Sequence, residues 1–172
     1  MRQFVVTLLF LCFLPLSGSL FAGDNGEDKL PYIGFAAYDF QVTGVKILEK
    51  IATKDGVVKS ENRHGNLVEV KLSGANPDAG ISILNTSSFS AVINYRGKFR
   101  VITARAVGLK PEVQPGKIVD IIISDPEANL HCKNAKAGEK QDIYVYFNIP
   151  REITAFMVQV PQALPATATV EK

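Results

Sequence analysis

The stretch Asp142 to Pro161, DIYVYFNIPREITAFMVQVP, decides how the rest of the chain is read. Ile143, Val145, Phe147 and Ile149 are apolar at every second position, and Phe156, Val158 and Val160 resume the pattern after Pro150-Arg151-Glu152. A period of two in β-branched and aromatic residues is what a strand packed on one face requires, because successive side chains of a pleated ribbon point to opposite sides. The stretch therefore reads as two strands of a sandwich. Pro150 has no N–H to give a ladder, so it marks the corner where the first strand ends.

Upstream, the same signature recurs. LVEVKLSG, residues 67–74, sets Val68, Val70 and Leu72 on one face and Glu69 and Lys71 on the other, which predicts a strand with one wet side. Phe89 to Tyr95 and Lys98 to Val107 flank Arg96-Gly97, a two-residue connection with glycine where positive φ is needed, and are expected to pair antiparallel. Ile81 to Leu84 reads as a short strand. Lys117 to Ile123, apolar on both faces, reads as a central strand. Between Ile33 and Ile51 the density of β-branched and aromatic residues fits one or two strands, with LEKIA (48–52) open to a helical turn. TKDGVVKSENRHGN (53–66) reads as a loop or irregular hairpin around Asp55-Gly56. Short strands separated by turn signals, without an amphipathic helix, predict an all-β sandwich of about seven to nine strands.

The N-terminus has a different character. Met1-Arg2-Gln3 is followed by FVVTLLFLCFLPLSGSLFA, the order of a signal peptide spanning residues 1–22, with a cut after Ala22. Its apolar core ends at Pro15 and is short against the about 20 residues of a bilayer span, so no membrane span is expected after cleavage. The protein is expected to be secreted or periplasmic. Residues 23–32 read as a flexible acidic tail, 33–161 as the sandwich and 162–172 as a second flexible tail. The mature chain of 172 − 22 = 150 residues suffices for one domain with a proper core. The formal charge of +2 includes Arg2, and a nearly neutral mature chain argues against nucleic-acid binding. Once Cys12 is removed, Cys132 is the single thiol, so packing rather than an internal disulfide must stabilise the fold.

LVEVKLSG, SSFSAVINYRGKFRVI, QPGKIVDIIIS and AGEKQDIYVYFNIPREITAFMVQV occur in an order that resembles the telokin-like, immunoglobulin-fold domain of unknown function found in secreted bacterial proteins. Phe89, Gly97, Lys98, Pro115, Gly116, Phe147 and Pro150 carry the likeness, over roughly Phe40 to Pro161. The resemblance implies an immunoglobulin-like antiparallel sandwich and transfers no catalytic residue.

Among chemically active residues, His131-Cys132 stands out. Neighbours on an extended chain point in opposite directions, which works against a Cys-His nucleophile. A metal site would need carboxylates such as Asp125 and Glu127, because His64 is the one other histidine. An inert, half-buried Cys132 is the simpler expectation, with an intermolecular disulfide and a homodimer as the alternative. The sequence carries no GxSxG, HExxH, CxxC or phosphate-cradling loop, so neither enzyme activity nor a metal or cofactor is expected. Asn85-Thr86-Ser87 matches a glycosylation acceptor.

Tyrosines give the better lead. Tyr144 and Tyr146 face away from Val145 and Phe147, and Tyr95 sits beside the hairpin turn; outward tyrosines supply rigid contact area. The polar run Ser124 to Lys140 is long for a loop and is a second candidate surface. The chain is thus expected to be a non-catalytic binding module for an unknown protein or envelope partner. The alternatives are a small metal- or thiol-dependent protein centred on His131 and Cys132, and an accessory structural subunit of an envelope assembly.

Overall fold

The computed structural model describes residues 40–171 apart from 62, 76–77, 110–121, 135 and 161–163. The expected signal peptide and N-terminal tail, and all but the last two residues of the strand expected at Lys117 to Ile123, lie outside the described residues.

The described chain runs β1 (Gln41–Leu48), β2 (Lys50–Thr53), β3 (Gly56–Lys59), β4 (Gly65–Ala75), β5 (Gly80–Leu84), β6 (Ser90–Tyr95), β7 (Lys98–Thr103), β8 (Ala106–Gly108), β9 (Ile122–Ile123), β10 (Leu130–Asn134), β11 (Lys140–Pro150), β12 (Ala155–Gln159) and β13 (Ala166–Thr169). One sheet has the order β1-β4-β11-β8-β9 and a second the order β13-β12-β6-β7, with β10-β5 and β2-β3 as two-stranded ribbons. Each described pairing is antiparallel. The two larger sheets hold nine strands, five and four, as an all-β sandwich requires.

The stretch quoted at the outset joins the two layers. β11 pairs with β4 from Lys140 opposite Ala75 to Pro150 opposite Gly65. The Pro150 carbonyl then accepts from the Ile153 N–H at 3.0 Å, and the turn delivers β12 to the other sheet. Val68, Val70 and Leu72 of β4 and Ile143, Val145, Phe147 and Ile149 of β11 meet Ala91, Ile93, Phe156, Val158 and Ala168 of the facing layer in one buried cluster. Across it, Phe147 and Phe156 pack edge to face at 6.1 Å. Each large side chain so enclosed contributes about 1.5–3 kcal/mol, which makes this cluster the main stabilising term.

Several expectations are corrected. The outer face of β4 is wet only in part, because the β2–β3 ribbon covers it and forms a second cluster of Ile51, Leu67, Ala106, Ile122 and Tyr146. Glu69, expected in solvent, is 7% exposed. LEKIA is not a helical turn, since Lys50 to Ala52 belong to β2. Lys98 to Val107 is two strands in different sheets, divided where the Ala104 N–H turns to the Phe89 carbonyl and the Arg105 N–H to the Tyr146 carbonyl. Among the described residues, Ile122 and Ile123 end the order of their sheet and do not lie at its centre. The supposed loop Ser124 to Lys140 contains β10, held to β5 from Leu130 opposite Leu84 onward. The tail expected over 162–172 supplies β13, which pairs with β12 and buries Ala168 and Val170. Small residues in Ala-Thr-Ala-Thr-Val look like a fraying end until a core needs small side chains at its margin. Among the described residues no helix is long and apolar enough to cross a membrane.

Candidate binding surface

The β6–β7 hairpin is built around Arg96 and Gly97, with φ of 52° and 76°. Positive φ at both central residues is the primed turn whose twist matches that of paired strands. It brings Tyr95 beside two guanidinium groups, the Cζ of Arg96 lying 5.0 Å and that of Arg100 4.9 Å from the ring centroid. Each contact draws a cation to the electron-rich face of the ring and holds a half-buried tyrosine in place. On the other face of β7, Phe99 is 77% and Val101 68% exposed. They continue a row across the sheet, because Val101 stands opposite Val92 and Val92 opposite Met157. Between the layers beside β7 opens a cleft of about 820 Å³, whose lining includes Tyr95, Arg100, Ile102, Arg105, Glu61 and Glu152. Arg105 meets Glu61 there at 2.6 Å.

A second cleft, of about 800 Å³, gathers Tyr144, His131, Asp142, Gln141 and Glu139. Lys71 Nζ lies 2.8 Å from Asp142 Oδ2 and 5.8 Å from the centre of the Tyr144 ring. The hydrogen bond to Asp142 raises the Lys71 pKa, and the same bond lowers that of Asp142. Burial raises the Tyr144 pKa, against the opposing pull of Lys71. These shifts favour a charged Lys71–Asp142 pair beside a phenol that holds its proton more tightly than usual.

The residues singled out from the sequence therefore scatter. Tyr95 belongs to the hairpin site, and Tyr144 and His131 share the second cleft. Tyr146 is fully buried beneath the β2–β3 ribbon, so it is no outward contact. Cys132 is fully buried in the main core and its thiol donates to Gln141 Oε1, while His131 points the other way and is exposed. A thiol so enclosed cannot form the intermolecular disulfide without opening the core, and the pair does not converge on one centre. Among the described residues, no group of three or more His, Cys, Asp and Glu is placed to hold a metal ion. Asn85 caps a single 3₁₀ turn, Thr86–Ser88, its side-chain oxygen accepting from the Ser88 N–H at 3.0 Å. Sequence reading missed Phe99, Val101, Arg96 and Arg100. The available signal was a hairpin without any carboxylate between Asp78 and Glu112.

Among solved structures, the chain is similar to an uncharacterized β-sandwich protein from Clostridium difficile 630, at 8% identity, covering 86% of this chain and 98% of that one with a TM-score of 0.45. No family model matches the sequence. No curated protein matches it either.

Proposed function

We propose that the protein is an exported, non-catalytic recognition module that engages a protein or envelope partner through the β6–β7 end of its sandwich. One observation carries this reading: Phe99 and Val101 stand exposed at 77% and 68% on a strand that also carries Lys98 and Arg100, in a hairpin whose Tyr95 is held by two arginines. Exposed large apolar groups rimmed by polar ones mark interaction surfaces, and tyrosine and arginine are enriched at their centres. Export is supported by the order of charge, apolar core and small residues over 1–22.

The test compares capture of an identified partner by the wild-type protein, by the double variant Phe99→Ser/Val101→Ser and by Tyr144→Ser in the second cleft. Loss with the double variant alone, at unchanged circular dichroism, supports the hairpin surface. Equal capture by all three proteins removes it.

A further inference from the structure

We propose that the open edge of β7 takes up an extended segment of a partner protein as an added strand, and that this segment alternates acidic with apolar residues. The inference rests on the binding reading above and specifies the partner's chemistry.

Hairpin geometry supplies the first step. In a two-residue hairpin the flanking pair, here Tyr95 and Lys98, exchanges both backbone hydrogen bonds, and bonded and non-bonded pairs then alternate along the ladder. The register sets Ile93 opposite Arg100 and Ala91 opposite Ile102, so those are the next bonded pairs. The N–H and C=O groups of Phe99, Val101 and Thr103 accordingly point away from β6. Among the described residues β7 is last in its sheet, which leaves these groups as a template for strand addition.

Charge selects the guest. Arg96, Lys98 and Arg100 crowd the hairpin, and no carboxylate lies between Asp78 and Glu112. Cations on an edge also hold like strands apart, and a second copy laid along β7 would double the positive charge on one seam. An acidic strand meets the opposite balance. Side chains alternate along β7, so Arg100 and Ile102 share the cleft face and the exposed Phe99 and Val101 the opposite one, with Val101 also bordering the cleft. A strand added here directs alternate side chains into the cleft beside Arg100 and onto the apolar row beside Phe99 and Val101. Glu61 is engaged by Arg105, and Glu152 also lines the cleft, so attraction comes from the hairpin cations rather than from the cleft walls.

The experiment uses the purified protein with a synthetic capped peptide alternating Glu and Val, a Lys-Val counterpart, and vesicles of anionic phospholipid. Binding of the Glu-Val peptide is expected to slow amide exchange at Phe99, Val101 and Thr103 by about tenfold or more. The Lys-Val peptide should not bind. Triple replacement Arg96→Ala/Lys98→Ala/Arg100→Ala should weaken the Glu-Val complex by about tenfold or more. Val101→Pro removes an N–H that donates to nothing in the free ladder, so it should block the complex at unchanged circular dichroism. Peptide binding that leaves the three amides unprotected, or that survives Val101→Pro, overturns strand addition. Vesicle binding without such protection, in the absence of peptide binding, overturns it in favour of a lipid surface. If Phe99→Ser/Val101→Ser loses its partner while the amides stay unprotected, strand addition fails and the binding reading stands.

Discussion

Two short hairpins of this molecule meet opposite fates. β2–β3, joined at Lys54-Asp55, is laid over the outer face of the five-stranded sheet; β6–β7, joined at Arg96-Gly97, projects with its outer residues bare. The difference lies in anchoring. The Lys54 N–H donates to the Ile122 carbonyl at 2.8 Å, Thr53 Oγ1 and Ser124 Oγ lie 3.0 Å apart, and Asp55 Oδ2 accepts from the Ser124 and Asp125 N–H groups at 2.8 and 3.1 Å. Those ties press Ile51 and Val58 onto Leu67 and Tyr146. The β6–β7 tip is held instead by its own arginines stacked on its own tyrosine. An outward aromatic therefore becomes core or exposed surface according to what is pinned above it.

The sharpest way to break that contrast is to truncate one aromatic from each region. Tyr146→Ala is expected to cost about 3 kcal/mol or more, as large-to-small changes in a packed cluster do. Phe99→Ala should fall within about 0.5 kcal/mol, because little packing is lost at a bare site. Urea unfolding of both variants measures the difference, and equal costs would mean that the ribbon does not cover Tyr146 in solution. A smaller effect comes from the turn glycines. Gly56 has φ of 137° and Gly97 φ of 76°, with nothing near the position of an added Cβ, so alanine at either is resisted by backbone strain alone. Gly97→Ala should cost about 1–2 kcal/mol. Gly56→Ala should cost about 1–3 kcal/mol and, unlike Gly97→Ala, speed amide exchange at Tyr146 by loosening its cover.

How far the sequence could be read follows from the same contrast. Strands β11 and β12 were legible because Val145, Phe147, Phe156 and Val158 put apolar bulk on one side at strict alternation, and that side faces the other sheet. The β6–β7 connection was legible because Arg96-Gly97 allows few backbone solutions. The cover over Tyr146 was not, since its source is a polar run whose apolar residues Ile51 and Val58 carry no mark of their destination. β10 was hidden for a related reason: Leu130 and Cys132 are two apolar positions in a polar segment, and their partner β5 lies far upstream in the chain. At the candidate surface, Tyr95 was identified from its place beside the turn. Phe99 and Val101 were not singled out, because alternation reports that a strand has two faces without saying which one is enclosed.

Two further predictions sharpen the comparison at the level of single anchors. Tyr95→Leu keeps apolar bulk but removes the ring face on which Arg96 and Arg100 rest. A cation–π contact at an exposed site contributes about 0.5–1 kcal/mol, so stability should fall by no more than about that amount per contact. The clearer readout is mobility: side-chain order at Arg96 and Arg100, followed by NMR relaxation, should drop while that of Arg105, paired with Glu61, stays unchanged.

The smallest effect is electrostatic, and it separates the hairpins by pH. The Ser124 and Asp125 N–H groups, in that order, lower the pKa of Asp55 from its ordinary 3.8 because both bonds favour the charged carboxylate. A carboxyl whose pKa is lower in the folded state stabilises that state fully above the unfolded value, and the contribution disappears as pH falls through the folded one. Acid should therefore release the β2–β3 ribbon first at its Ser124 anchor, below 3.8. The β6–β7 ladder has no such carboxylate and should hold its protection through the same range. Asp55→Asn retains an acceptor oxygen but does not titrate, so exchange at Ser124 and Asp125, corrected for its intrinsic pH dependence, should become flat with pH. If the variant keeps the wild-type acid profile, the Asp55 carboxylate is not what holds the ribbon, which then rests on its apolar contacts and on the Lys54 and Thr53 bonds. The contrast with β6–β7 would then rest on these and not on what Asp55 accepts.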